Sequence, residues 1–275
     1  MTSSEAPPFH ALVTGATGGI GRATCLAVLH EAQARGQSVR LSVAASRPGA
    51  ALDELVGTLR SQGAEVRGLH GDLADPEACQ RLAGQAVEHG EGRLDLLVSN
   101  AGMGRPGPLK ALALDQWELL FQVNVRATWL LAQASHAALA NARGSVVAIA
   151  SMAGLHPHPG SGAYSTSKAA LLMLCRQMAQ EWAADGIRVN TISPGMVRTP
   201  LTEATYRHEE VAARRKAMVP LGRIGTGDDI ARAVAYLGGP GAGYVTGSNL
   251  LVDGGFCDHL LATLPGLPPK PAEGN

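Results

Sequence analysis

Tyr164 and Lys168 stand four residues apart in the run Tyr164-Ser165-Thr166-Ser167-Lys168. On a helix such positions share one face and lie about 6 Å apart along the axis. A free phenol titrates at about pH 10 and is a poor base at neutrality. A lysine ammonium beside it favours the phenolate, so proton exchange with a bound oxygen comes within reach of neutral pH. The pair alone is common by chance. Ser151 adds weight, because it follows the apolar run Ser145–Ala150 and so sits at the carboxyl edge of a strand, where open α/β sheets bind ligands. Its hydroxyl suits a hydrogen bond to a reacting carbonyl or alkoxide; the plainer reading is a turn-capping serine. Asn124 follows Trp117, Leu120 and Phe121 at i+7, i+4 and i+3, an amide where a helical stripe calls for a hydrophobe. A buried amide has to be satisfied, by a polar chain or by a backbone carbonyl.

Elements must bring these residues together. Apolar runs at Phe9–Val13, Val39–Ala44, Glu65–Leu69, Leu94–Ser99, Ser145–Ala150, Ile187–Ile192 and Asn249–Val252 read as strands. Most are continuously apolar, as parallel strands covered on both faces are. Helical stripes lie between them, including Ile20, Ala23, Thr24, Ala27 and Val28, and later Ile230, Ala233, Val234 and Leu237. Asp75-Pro76 is a cap followed by proline at the first helical position, opening a helix to His89. The alternation predicts an α/β fold: one doubly wound Rossmann domain with a seven-stranded parallel sheet over residues 9–256. Residues 1–8 and a tail over 257–275 fall outside it, and the polar stretch Thr199–Pro220 reads as a lid or insertion beside a site.

After the first strand comes Thr14-Gly15-Ala16-Thr17-Gly18-Gly19-Ile20-Gly21, opening straight into a helix. Gly15 suits the tight turn, Gly19 lets the backbone approach a pyrophosphate, and Gly21 lets helix and strand pack closely. Where a dinucleotide's ribose meets the second strand, the chain reads Ala44-Ala45-Ser46-Arg47-Pro48, with no acid from Leu41 to Leu52. An acid there binds a free 2′-hydroxyl, whereas Arg47 and Ser46 suit a 2′-phosphate, so NADP(H) is preferred over NAD(H). The other reading leaves Arg47 as a solvated loop residue.

The spacing TGxxxGxG, with Ser151 thirteen residues before Tyr164, resembles the short-chain dehydrogenase/reductase family in its compact single-domain branch. The resemblance covers about residues 9–256. It implies that Gly15, Thr17, Gly18, Gly19, Ile20 and Gly21 hold the pyrophosphate, and that Asp72-Leu73 contacts the adenine. Asn100, Ala101 and Gly102 match the turn that steadies the sheet and borders the cofactor. Pro194, Gly195, Val197 and Thr199 match the segment facing the nicotinamide, and Asp253-Gly254-Gly255 closes the last strand. The catalytic set it implies is Asn124, Ser151, Tyr164 and Lys168. Tyr164 exchanges the proton, Ser151 holds the oxygen, and Lys168 binds the nicotinamide ribose and tunes Tyr164. Asn124 serves a water that links Lys168 to solvent. Ala150 stands where many relatives carry a second serine.

The implied reaction is hydride transfer between a nicotinamide and a carbonyl or secondary alcohol. Met103, Met152, His158 and Met196 are the candidate substrate contacts, with His156 and the insertion residues Tyr206, Arg207 and His208 nearby. The substrate stays open among 3-oxoacyl thioesters, sugars or polyols, and ketones. His156-Pro157-His158 reads as a polar wall, since no carboxylate or cysteine stands at ligand spacing, and no metal is expected. Arg214-Arg215-Lys216 reads as a solvated helix face; the alternative is attraction of an anionic substrate or acyl carrier.

Lys+Arg and Asp+Glu are 23 each, so the chain carries no net basic footprint for nucleic acid. No bilayer-spanning run or leader pattern is read, and Cys25, Cys79, Cys175 and Cys257 are spaced as reduced thiols, which together point to the cytoplasm. Ala169–Cys175 is apolar nearly all round, so its helix and that of Asn124 are expected to meet a symmetry mate; the family resemblance implies a homotetramer. Two other functions compete. One is a non-catalytic sensor of nicotinamide redox state, which has no need of a proton donor. The other is an epimerase or dehydratase, whose TGxxGxxG spacing and larger carboxyl-terminal domain this chain lacks.

Overall fold

Seven parallel strands run in the order β3-β2-β1-β4-β5-β6-β7. They are β1 (Phe9–Thr14), β2 (Val39–Ala45), β3 (Glu65–His70), β4 (Leu96–Ser99), β5 (Ser145–Ile149), β6 (Arg188–Pro194) and β7 (Asn249–Val252). The computed structural model describes residues 7–200 and 202–259. Expectations for residues 1–6 and 260–275 lie outside the described residues. Both faces of the sheet are covered. Val13, Leu41, Val98 and Val147 bury one face with Leu29, Leu55 and Val234. Leu12, Leu97, Val146 and Val189 bury the other with Leu82, Leu131 and Leu172. Neighbours such as Leu12 and Val13 point to opposite cores, which is why the central strands read as unbroken apolar runs. The edge strand β3 is less covered, with Val66 and Leu69 buried on opposite faces and Glu65, Gly68 and His70 exposed.

The helices are α1 (Gly19–Ala34), α2 (Ala50–Ser61), α3 (Pro76–His89), α4 (Leu114–Phe121), α5 (Ala127–Ala134), α6 (His136–Ala142), α7 (Tyr164–Trp182), α8 (Glu203–Tyr206), α9 (Glu209–Ala217) and α10 (Gly227–Gly238). Asp75 caps α3 as its sequence predicts, accepting from Glu77 N at 3.0 Å and Ala78 N at 3.2 Å. Such a cap contributes about 1 kcal/mol.

Three local expectations change. The fourth strand starts at Leu96, because the buried Leu94 turns its amide to Ala138 O at 3.0 Å. The sixth starts one residue later than expected and runs on to Pro194. The stripe ending in Asn124 is not one regular helix: Gln122–Arg126 forms a π-helical turn between α4 and α5. The stretch after Thr199 folds into α8 and α9, which stand over the carboxyl edge of the sheet. Among the described residues, no helix is long and apolar enough to cross a membrane.

The chain reverses direction across the sheet between β1 and β4. Their carboxyl ends diverge there, and ligands of open α/β sheets bind in that crevice.

Candidate active site

A cavity of about 710 Å³ runs along the carboxyl ends of the strands. Loops from both halves of the sheet wall it. The β1–α1 loop supplies Gly15, Thr17, Gly18, Gly19, Ile20 and Gly21; Ser46 follows β2, and Asp72 and Leu73 follow β3. Across the crevice stand Asn100, Ala101, Gly102 and Met103 after β4, then Ser151 and Met152 after β5. Tyr164, Lys168 and His158 belong to α7 and its approach; Pro194, Gly195, Met196, Val197 and Thr199 follow β6. Of the predicted catalytic and cofactor residues two are not in the wall, and of the further pocket candidates Arg207 and His208 are not either. Arg47 is exposed, without a hydrogen bond or ion pair among the described residues, and Asn124 is buried behind Met103.

The glycine loop is shaped by contacts only glycine allows. Gly15 has φ +61°, and a Cβ on Gly21 would lie 2.1 Å from Gly15 O. The loop therefore turns tightly onto the start of α1. The amides of Gly19 and Ile20 have no acceptor among the described residues. Such free amides at a helix start suit an anion. Asn100 fixes the loop from β4: its Nδ2 donates to Thr14 O at 2.9 Å and Gly15 O at 3.1 Å. Thr14 Oγ1 accepts from the amides of Asn100 and Ala101, both at 3.1 Å. Thr14 thus ties the two sides of the crevice, a role the strand pattern did not indicate.

Tyr164 begins α7, and Lys168 stands one turn further along it. The Lys168 ammonium is buried and donates to Ile149 O at 2.8 Å. Burial lowers its pKa from 10.5 to about 8. Burial also raises the Tyr164 phenol above its ordinary value, while the Ser151 hydroxyl works in the opposite direction. This corrects the expectation that Lys168 pulls the phenol down. In the protein itself desolvation is the largest influence on each, and both groups are pushed toward neutrality. Ser151 also caps the short turn Met152–Gly154, accepting from Ala153 N at 3.1 Å.

Asn124 forms a closed structural bond set. Its Oδ1 accepts from Met103 N at 2.9 Å, and its Nδ2 donates to Met103 O at 3.0 Å and Ser167 Oγ at 3.0 Å. The backbone-binding reading of this amide is therefore present. Gly102 sits between the two polar groups: a Cβ there would be 3.2 Å from Lys168 Nζ and 3.3 Å from Asn124 Oδ1. Asp72 lines the cavity and also makes the turn expected of an aspartate there, accepting from Ala74 N at 2.9 Å. His158 lies in the wall, with its amide donating to Ser165 Oγ at 3.2 Å, whereas His156 is exposed outside it.

A family model described as enoyl-(acyl carrier protein) reductase matches residues 15–257. A 3-oxoacyl-[acyl-carrier-protein] reductase of Haemophilus influenzae is 35% identical over 247 residues, covering 90% of this chain and 97% of the relative. A solved short-chain type dehydrogenase/reductase from Mycobacterium marinum superposes with TM-score 0.81 at 30% identity, covering 92% of this chain and 96% of that one. The chain belongs to the short-chain dehydrogenase/reductase family. It is accordingly an oxidoreductase that acts on CH–OH or carbonyl groups with a nicotinamide cofactor. A blue fluorescent protein from a metagenomic library, solved with NADPH, matches at TM-score 0.77 and 33% identity, over 91% of this chain and 98% of that one.

The residues present fit the dinucleotide of a short-chain dehydrogenase/reductase. Gly19 and Ile20, whose amides have no acceptor among the described residues, both line the crevice. The segment after Thr199 adds wall residues that the sequence did not assign to the cavity: Pro200, Thr202 and Arg215. Tyr206, named only among possible pocket residues of the insertion, is also in the wall. Thr202 Oγ1 donates to Val197 O at 2.8 Å and accepts from Thr199 N at 2.9 Å, which fixes the turn that packs Thr199 and Pro200 against Gly19. The Thr199–Thr202 spacing is visible in sequence as a local capping pattern. The inward turn of Arg215 is not, because α9 carries no apolar stripe to orient it.

Proposed function

We propose that the protein interconverts a carbonyl and a secondary alcohol on a small molecule, with NADP(H) as cofactor and Tyr164 as the proton donor and acceptor. The observation that carries this reading is a single cavity walled by the glycine loop at one side and by Tyr164 and Ser151 at the other. The dinucleotide, when bound, delivers or accepts the hydride at the carbonyl carbon. Tyr164 gives its phenolic proton to the oxygen during reduction and takes it back during oxidation. Ser151 donates a hydrogen bond to that oxygen and so holds it beside the phenol. Lys168, buried beneath Gly102, binds the nicotinamide ribose and returns the proton from solvent to the phenol. Met103, Met152, Met196 and His158 contact the substrate.

The preference for NADP(H) rests on Ser46 in the cavity wall and on the unpaired Arg47 beside it, with no carboxylate at the end of β2. Arg47 closes on the 2′-phosphate from solvent by charge-assisted hydrogen bonds. We also propose a homotetramer, in which a symmetry mate covers the exposed Trp129 on α5 and Met173 on α7. Three fully buried free thiols, Cys25, Cys79 and Cys175, fit a reducing cytoplasm.

The test is a cofactor-dependent screen over ketones, 3-oxoacyl thioesters, sugars and polyols with NADH and NADPH. The reading expects turnover of at least one class and a kcat/KM at least tenfold higher with NADPH. In Arg47→Ala that cofactor ratio should fall about tenfold. Binding of NADPH without turnover of any class would contradict it.

A further inference from the structure

We propose that Arg215 is a specificity-determining residue that selects carbonyl substrates bearing an anionic group, a carboxylate or a phosphate, on the small molecule itself. The inference deepens the proposed function and rests on it. Arg215 is the one member of the Arg214-Arg215-Lys216 run whose side chain joins the cavity wall. Arg214 and Lys216 are exposed, and Arg215 is half-buried. Its guanidinium carbon stands 5.6 Å from the ring centroid of Tyr206, which is itself 5% exposed and also in the wall. A buried aromatic face holds a guanidinium in place and leaves its N–H edge free for an acceptor.

Two of the three lid carboxylates are committed elsewhere, and the third, Glu209, is exposed and outside the cavity wall. Glu203 pairs with Arg198 at 2.7 Å, and Glu210 pairs with Arg214 at 2.7 Å. Among the described residues Arg215 has no carboxylate partner. Asp72 is the one carboxylate in the cavity wall; it follows the edge strand β3, whereas the lid follows β6 on the opposite half of the sheet. The cavity that holds Tyr164 also carries Arg215, Lys168 and His158 in its wall, with the apolar Met103, Met152 and Met196. A planar, unpaired guanidinium facing a largely apolar cavity suits a carboxylate or phosphate by paired hydrogen bonds.

The experiment compares wild type, Arg215→Met and Arg215→Lys with NADPH. One arm uses oxo acids of four to eight carbons against their methyl esters. The other uses dihydroxyacetone phosphate against dihydroxyacetone. Wild type should favour the anionic member of at least one pair by tenfold or more in kcat/KM, and the arm that does so identifies carboxylate or phosphate. Arg215→Met should cut that ratio at least tenfold, chiefly through KM, and Arg215→Lys should restore part of it. The NADPH dissociation constant, read by cofactor fluorescence, reports separately on the dinucleotide. A loss confined to NADPH binding would assign Arg215 to the cofactor and overturn the inference. Turnover of neutral and anionic members alike, unchanged in ratio by Arg215→Met, would overturn it while leaving the carbonyl reductase reading intact. No turnover of any member would overturn both.

Discussion

The Lys168 ammonium lies 5.8 Å from the centroid of the Tyr164 ring and spends one hydrogen bond on Ile149 O. The pair shares a helix face, yet burial sets the protonation of both members. The phenol is held protonated above its usual range, and the ammonium is brought down to about 8. In the proposed mechanism a protonated phenol is the state that donates to a carbonyl oxygen.

That asymmetry has a kinetic consequence. With NADPH, kcat/KM for carbonyl reduction should be level near neutrality and fall above pH about 8, where Lys168 loses its proton. Alcohol oxidation with NADP+ should rise over the same range. Paired pH–rate profiles check this; a reduction rate that climbs through pH 9 would contradict it.

Lys168 should also leave a mark on stability. Its folded-state pKa of about 8 lies below the ordinary 10.5. Below pH 8 it is charged in both states, and the fold carries the full burial cost. Between pH 8 and 10.5 the folded form sheds its proton first, so stability rises by about 3 kcal/mol. Urea midpoints of wild type against Lys168→Met should diverge in wild type's favour across that window. Parallel curves would show that the ammonium is not desolvated.

The opposite end of the sheet carries a second buried polar chain. His10 Nε2 lies 3.0 Å from Ser42 Oγ, which lies 2.9 Å from His89 Nδ1, and His89 Nε2 reaches Glu65 at 3.3 Å. Burial lowers His10 from 6.5 to about 4 and His89 in the same direction. His10 is neutral in both states above pH 6.5. As pH falls from 6.5 to 4 the unfolded chain gains the proton first, and about 3 kcal/mol of stability is lost. His10→Gln should be less stable at pH 7 and nearly level with wild type at pH 4. A deficit that holds constant with pH would rule out this titration.

Much of this was legible in the chain. The unbroken apolar strands announce a sheet covered on both faces, and the glycine spacing after β1 announces the turn, because both are local consequences of packing and backbone sterics. Asp75-Pro76 marked a helix start to the residue. Other features depend on distant parts of the fold. The π turn at Gln122–Arg126 repositions Asn124 relative to a regular stripe, and its partner Met103 is twenty-one residues away. Tyr164 and Lys168 have the right spacing, but their protonation follows from burial, which spacing does not report. Arg215 reads as one of three solvated cations until Tyr206 is seen beneath it.

Asn124 offers a test of packing against chemistry. Asn124→Ala would leave the half-buried Met103 N–H and C=O without their partners, while Ser167 Oγ keeps its bond to Tyr164 O. Loss of these bonds should cost about 3 kcal/mol in stability, read by urea denaturation. A cost below 0.5 kcal/mol, about the floor for a net hydrogen bond, would mean that the amide does not hold the Met103 loop.

The most direct test of the central claim is Tyr164→Phe, which removes one oxygen from the cavity wall. Single-turnover oxidation of NADPH by the best carbonyl substrate should slow by about 10³-fold, while the NADPH dissociation constant stays within about threefold of wild type. A variant that still reduces the carbonyl at close to the wild-type rate would show that the proton comes from elsewhere.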